Sequence, residues 1–132
     1  VYGVPFGRSD FLPGMPMQDV IDWINHKGGA AIPAHPYQVT MSGLFLGDKV
    51  LDLQHIAAIE TLNASASHEE NRRAASAAEQ IGLPGIGGSD AHGPNAIGRA
   101  FTCFPEPVET VSELVEALKT GHFFTCRNNK DI

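Results

Sequence analysis

Short apolar runs alternate along the chain with amphipathic stretches of helical period. Val1–Phe6 reads as the end of a strand. Pro16 suits the first turn of a helix, Val20, Ile21 and Ile24 supply its apolar stripe, and Gly28–Gly29 stops it. Ala30–Ala34 predicts a short apolar strand ending at His35, with Pro33 awkward in it because proline cannot donate a ladder hydrogen bond. Over residues 37–55, Gly43, Gly47 and Asp48 mark a loop with room for one helical turn. Ile56–Thr61 predicts a second strand. Ser67 and Glu70 form a capping-box pattern for a helix that runs to Ile81 and ends at Gly82; its buried stripe is mostly alanine and suits close packing. Leu83–Gly88 is a glycine-rich third strand and Arg99–Phe104 a fourth. Thr110 and Glu113 repeat the capping box, Val111, Leu114, Val115 and Leu118 share one helical face, and Gly121 closes that helix. His122–Cys126 reads as a last strand.

Alternation of apolar strands with helices predicts an α/β domain, a parallel sheet covered by helices, spanning residues 1–132 as one unit. Sheets of that kind carry their chemistry at the C-terminal ends of the strands. A hydrophobic content of 42% in 132 residues is a globular composition with one core. The formal net charge is -6, and the densest basic pair is Arg72–Arg73, which argues against a long nucleic acid as partner. A small phosphorylated ligand needs only local positive charge. No apolar run reaches membrane-spanning length. Cys103 and Cys126 lie outside any CxxC, and nothing marks the chain as secreted, so two reduced thiols and a cytoplasmic location are expected.

Three polar residues fall at predicted strand ends: His35 in Ala34-His35-Pro36, and Asp90 and His92 in Gly87-Gly88-Ser89-Asp90-Ala91-His92-Gly93. In extended backbone, residues two apart point the same way, so Asp90 and His92 would share one face as a carboxylate–imidazole pair able to bind metal. The plainer reading is a polar loop in which Asp90 caps a turn and His92 is solvated. Pro36 disfavours the helical conformation at His35 and predicts an extended residue whose imidazole leaves the strand mouth. The plainer reading there is a core or rim histidine. Imidazole and carboxylate without thiolate suit zinc, manganese or iron. Arg99 is the candidate phosphate contact, against the alternative of a surface ion pair. Glu60 and Asn63, at the end of the second strand, are candidates to orient the ligands from behind or simply to close strand-end hydrogen bonds.

Together these segments resemble the phosphoesterases of the polymerase-and-histidinol-phosphatase (PHP) family. Ala34-His35-Pro36-Tyr37 is similar to the family's AHP motif and Gly88-Ser89-Asp90-Ala91-His92 to its GSDAH motif. Ile59-Glu60-Thr61-Leu62-Asn63 resembles the IE-x-x-N segment between them. Gly98–Thr102 and Glu113–Lys119 resemble the PHP-associated C-terminal segment. The resemblance implies a partial (β/α)7 barrel and a cluster of two or three divalent metal ions (zinc, manganese or iron) held in part by His35, Asp90 and His92. It also implies Asp90 and His92 at the catalytic centre, and hydrolysis of a small phosphorylated metabolite, nucleotide or oligonucleotide end.

The chain departs from the family in lacking the HxH motif, the bridging Glu and the further histidines of the N-terminal half. It therefore reads as the C-terminal part of such a barrel. Little activity is expected of it alone, and a homo-oligomer or an association with the missing half is expected. The competing function from another class is a non-catalytic interaction or regulatory module that keeps the half-barrel without a complete cluster. A metal-dependent amide or ester hydrolase on a related barrel shares the ligand types.

Overall fold

Two capping boxes set the ends of two helices. In the computed structural model, which describes residues 1–5, 14–39 and 43–128, the Ser67 hydroxyl accepts the Glu70 N–H and the Glu70 carboxylate accepts the Ser67 N–H. These bonds satisfy donors that a helix start leaves without partners. Helix α2, His68–Ile81, begins there and ends where Gly82 takes a left-handed conformation, φ 69°. Thr110 and Glu113 do the same for α3, Val111–Thr120, which Gly121 closes. Helix α1, Met17–His26, starts after Pro16 without a side-chain cap and buries Ile21 and Ile24. Residues 37–55 contain one 3-10 helix, Gly47–Asp52.

The strands are β1, Ile59–Asn63; β2, Gly85–Gly88; β3, Ala100–Cys103; and β4, Phe124–Arg127. Strands β1 and β2 pair in parallel, with α2 as the crossover and a register shift between Glu60 and Leu62. Along β1 and the residue before it, successive side chains enter different clusters. Ile59 packs with Ile24, Val50, Tyr37 and the alanine face of α2. Ala58 packs with Ala30, Ile86, Val115, Leu118 and Phe123. Burial on both faces is what a parallel strand demands. Ala74, Ala77 and Ala78 let α2 come close to β1.

Two expectations need correction. The sheet is not uniformly parallel: β3 and β4 form a separate antiparallel pair, Ala100 opposite Arg127 and Cys103 opposite Phe124. No closed barrel forms among the described residues. Ala30–Ala34 is also not a regular strand; it makes a single antiparallel bridge, Ala30 to Tyr2. Its carbonyls are still used, Ala31 accepting from the Ala57 N–H and Pro33 from the Glu60 N–H. Pro33 has no N–H to return, which keeps the segment from joining the sheet as a full strand. Of the predicted strand Val1–Phe6, Phe6 lies outside the described residues.

Cys103 and Cys126, expected as two thiols, are joined as a disulfide. The β3–β4 register sets Cys103 against Phe124 and Cys126 against Phe101, so the two cysteines are diagonal neighbours with Cα atoms 6.3 Å apart. That separation lies within bonding range. No helix among the described residues is long and apolar enough to cross a membrane.

Candidate active site

Strands β1 and β2 end side by side, with Asn63 paired to Gly88; Asp90 and His92 follow β2, and His35 is tied to β1 through Glu60. At its base is Glu60, 8% exposed. Its Oε2 accepts the His35 N–H at 2.6 Å and the Asn63 side-chain N–H at 3.3 Å. Burying a carboxylate is costly unless donors meet it; here two do. The same negative charge, after burial, pushes the Tyr2 phenol above its ordinary pKa.

His35 has φ 29°, not the extended conformation expected from Pro36. Proline disfavours the right-handed helical region for the preceding residue, and a sufficient tertiary force can hold it left-handed. The bond from His35 N–H to Glu60 supplies that force, and the Gln38 N–H closes a turn onto the His35 carbonyl. The chain after His35 is pinned as well. Tyr37 is buried, its hydroxyl donates to Asp48 at 3.0 Å, and the Arg73 guanidinium lies 4.4 Å from its ring centroid. Burial first, and the bond to Asp48 second, raise the Tyr37 phenol pKa. The Val39 N–H donates to Glu70.

Asp90 is the second residue forced left-handed, φ 45°. The extended pair expected of Asp90 and His92 is therefore a turn. The Asp90 carbonyl accepts two donors, the Ser65 hydroxyl at 3.2 Å and His92 Nδ1 at 2.9 Å. A carbonyl can only accept, so His92 Nδ1 is the donor in that bond. The His92 side chain is 87% exposed, that of Asp90 26%, and the Asp90 Oδ1 atom stands 4.0 Å from His92 Nδ1. The third non-glycine residue with positive φ, His55, is at the surface beside Asp22.

Both glycines before this turn lie close to neighbours, Gly87 against backbone and Gly88 against the end of the Glu60 side chain. A Cβ on Gly88 would collide with Glu60 Oε1, and one on Gly87 would sit 2.5 Å from the Phe101 carbonyl oxygen. Thr102 brings β3 this near: its hydroxyl donates to the Gly87 carbonyl and accepts the Gly87 N–H, each at 3.0 Å.

Asn63, 1% exposed, ties the parts together. Its side-chain oxygen accepts the N–H groups of Ser65 and Ala66. Its backbone N–H and carbonyl bond both ends of the Asn71 amide. Sequence reasoning did not single out Ser65 or Asn71. An Asn-x-Ser turn after a strand was the signal for Ser65; for Asn71 there was none. Arg99 is exposed and precedes β3, so it stands before that strand and not at its C-terminal mouth. Its carbonyl accepts the Asn128 N–H.

The donor types of His35, Asp90 and His92 suit a divalent cation. Among the described residues, however, no three His, Cys, Asp or Glu side chains converge on one point. The fit is in kind and not in number, so no chemical step is routed through a metal here.

Residues 68–123 match the family described as PHP-associated. Over 103 residues the chain is 33% identical to a 3',5'-nucleoside bisphosphate phosphatase of Chromobacterium violaceum, an alignment covering 70% of this chain and 36% of that relative. The chain thus spans little more than a third of the length of the relative it matches. No solved structure matches it.

Proposed function

The chain carries a C-terminal segment of the PHP family, and from that premise we propose that it serves in a metal-dependent phosphoesterase acting on a small phosphorylated compound. A nucleoside bisphosphate is the substrate the relative's name suggests. His35, Asp90 and His92 are the residues that would hold divalent cations, zinc, manganese or iron, with Asp90 and His92 nearest the chemistry. A bound cation supplies Lewis-acid polarisation and positive charge opposite the phosphoryl oxygens. The protein's own part is orientation. Glu60 fixes the His35 backbone, and the Asp90 carbonyl fixes the His92 tautomer. The partner proposed for the protein is a second polypeptide surface, another copy or the N-terminal half of the family fold.

One observation carries this reading. Two residues at the end of the parallel strand pair, His35 and Asp90, take left-handed backbone that is uncommon outside glycine, and one network of polar groups, buried at Glu60 and Asn63 and exposed at Ser65, reaches both. Strain of this kind persists only where the surroundings over-determine it, and it gathers at functional sites. The test is metal content by elemental analysis of the purified chain and of a His35→Ala, Asp90→Ala, His92→Ala triple variant. Zinc, manganese or iron in the first and not in the second is the expected result. Equal metal in both would overturn the ligand assignment.

A further inference from the structure

Asp90 and His92 do not hold their own geometry. Beyond Gly88 the segment joins no strand among the described residues, and Asp90 takes a left-handed conformation that is uncommon outside glycine, though aspartate adopts it more readily than most residues. Two contacts from the loop after β1 reach it. The Ala64 N–H donates to the Gly88 carbonyl at 3.0 Å, extending the parallel ladder by one rung. The Ser65 hydroxyl donates to the Asp90 carbonyl.

We propose that Ser65 is a positioning residue: its hydroxyl holds the left-handed turn that presents the Asp90 carboxylate and the His92 imidazole to a divalent cation. The cation rests on the proposed function; the holding of the turn does not. Ser65 can act this way because it is fixed from behind. Its N–H donates at 2.8 Å to the oxygen of Asn63, whose amide N–H donates in turn to Glu60. Glu60 holds His35. A single chain of hydrogen bonds, Ser65 to Asn63 to Glu60 to His35, therefore relates two candidate ligand loops that are far apart in sequence. Both lone pairs of the Asp90 carbonyl are used, one by Ser65 and one by His92 Nδ1. Losing the Ser65 bond frees the carbonyl to rotate, and the partner that sets the His92 tautomer moves with it.

The experiment compares the wild-type chain with Ser65→Ala and Ser65→Thr, isotopically labelled for NMR and titrated with manganous chloride. Ser65 is exposed, so the melting temperature should not change in either variant. Manganese broadening at Asp90 and His92 should need about 10-fold more metal in Ser65→Ala. Threonine keeps the hydroxyl and should behave as the wild type. The carbon shifts of Asp90 should leave their left-handed values in Ser65→Ala and keep them in Ser65→Thr. Unchanged Asp90 shifts in Ser65→Ala overturn the proposal whatever the metal does, and so does equal loss in both variants. If manganese leaves Asp90 and His92 sharp in the wild type, the cation reading falls, and the Asp90 shifts alone then decide the role of Ser65.

Discussion

Glu60 accepts the backbone N–H of His35 at 2.6 Å across 25 residues of sequence. The bond fixes a backbone group and leaves the imidazole free. Glu60→Ala removes the acceptor and strands the N–H groups of His35 and Asn63 in a buried place. The expected loss is about 1–3 kcal/mol of unfolding free energy, the range for an unsatisfied buried donor. Glu60→Gln keeps an acceptor oxygen and should lose less. Urea denaturation of both variants checks this, and equal losses would show that the hydrogen bonds are not what Glu60 contributes.

Gly88 lies against the same carboxylate. Gly88→Ala puts a Cβ against Glu60 Oε1 and should cost about 1–3 kcal/mol, the usual penalty for overpacking. Gly93→Ala, a few residues on, meets nothing within 4 Å and has ordinary extended backbone, so it should be nearly neutral. The decisive measurement is the double variant. In a Glu60→Ala background the collision is gone, and Gly88→Ala should cost clearly less than in the wild type.

The disulfide between Cys103 and Cys126 closes a segment with a sequence separation of 23. Constraint of the unfolded chain over that length predicts about 3 kcal/mol of stabilisation. Alkylation of the denatured, unreduced protein should find no free thiol, and dithiothreitol should lower the urea midpoint. Cys126→Ser should show the lower midpoint with or without reductant. Two alkylated thiols in the untreated protein would instead restore the expectation drawn from the sequence.

What was legible in the sequence is what is local. The Ser67–Glu70 and Thr110–Glu113 boxes and the glycines at 82 and 121 act within a turn of their own positions, and the helices begin and end where these residues put them. The β1–β2 pairing followed from apolar strands flanking a helix. What escaped is set at a distance. The antiparallel sense of β3 and β4 depends on where α3 returns the chain, which no window of residues encodes. His35 and Asp90 were expected extended because the only forces visible were those of neighbouring residues. The bonds that turn both left-handed come from Glu60 and Ser65, each 25 positions away. Motif spacing singles out the candidate residues, but it does not encode their backbone conformation.

The capping boxes also predict how the fold answers acid. The Glu70 carboxyl is held below its ordinary pKa of 4.5 by the Ser67 N–H first, then by the Ser67 hydroxyl and the Val39 N–H. Glu113 is lowered by the N–H groups of Glu109 and Thr110. Both are acids whose folded pKa is depressed, so their contribution is fully present above 4.5 and is lost as pH falls through the lower folded value. Glu113 is exposed and Glu70 only partly buried, which keeps each contribution small. The urea midpoint should therefore hold steady from pH 7 to about 5 and decline below 4.5. Glu70→Gln and Glu113→Gln keep a side-chain acceptor but remove the titration. The double variant should be less stable than the wild type at pH 7, and the gap should narrow below pH 4. A gap that stays constant across this range would mean that neither carboxylate titrates in linkage with folding.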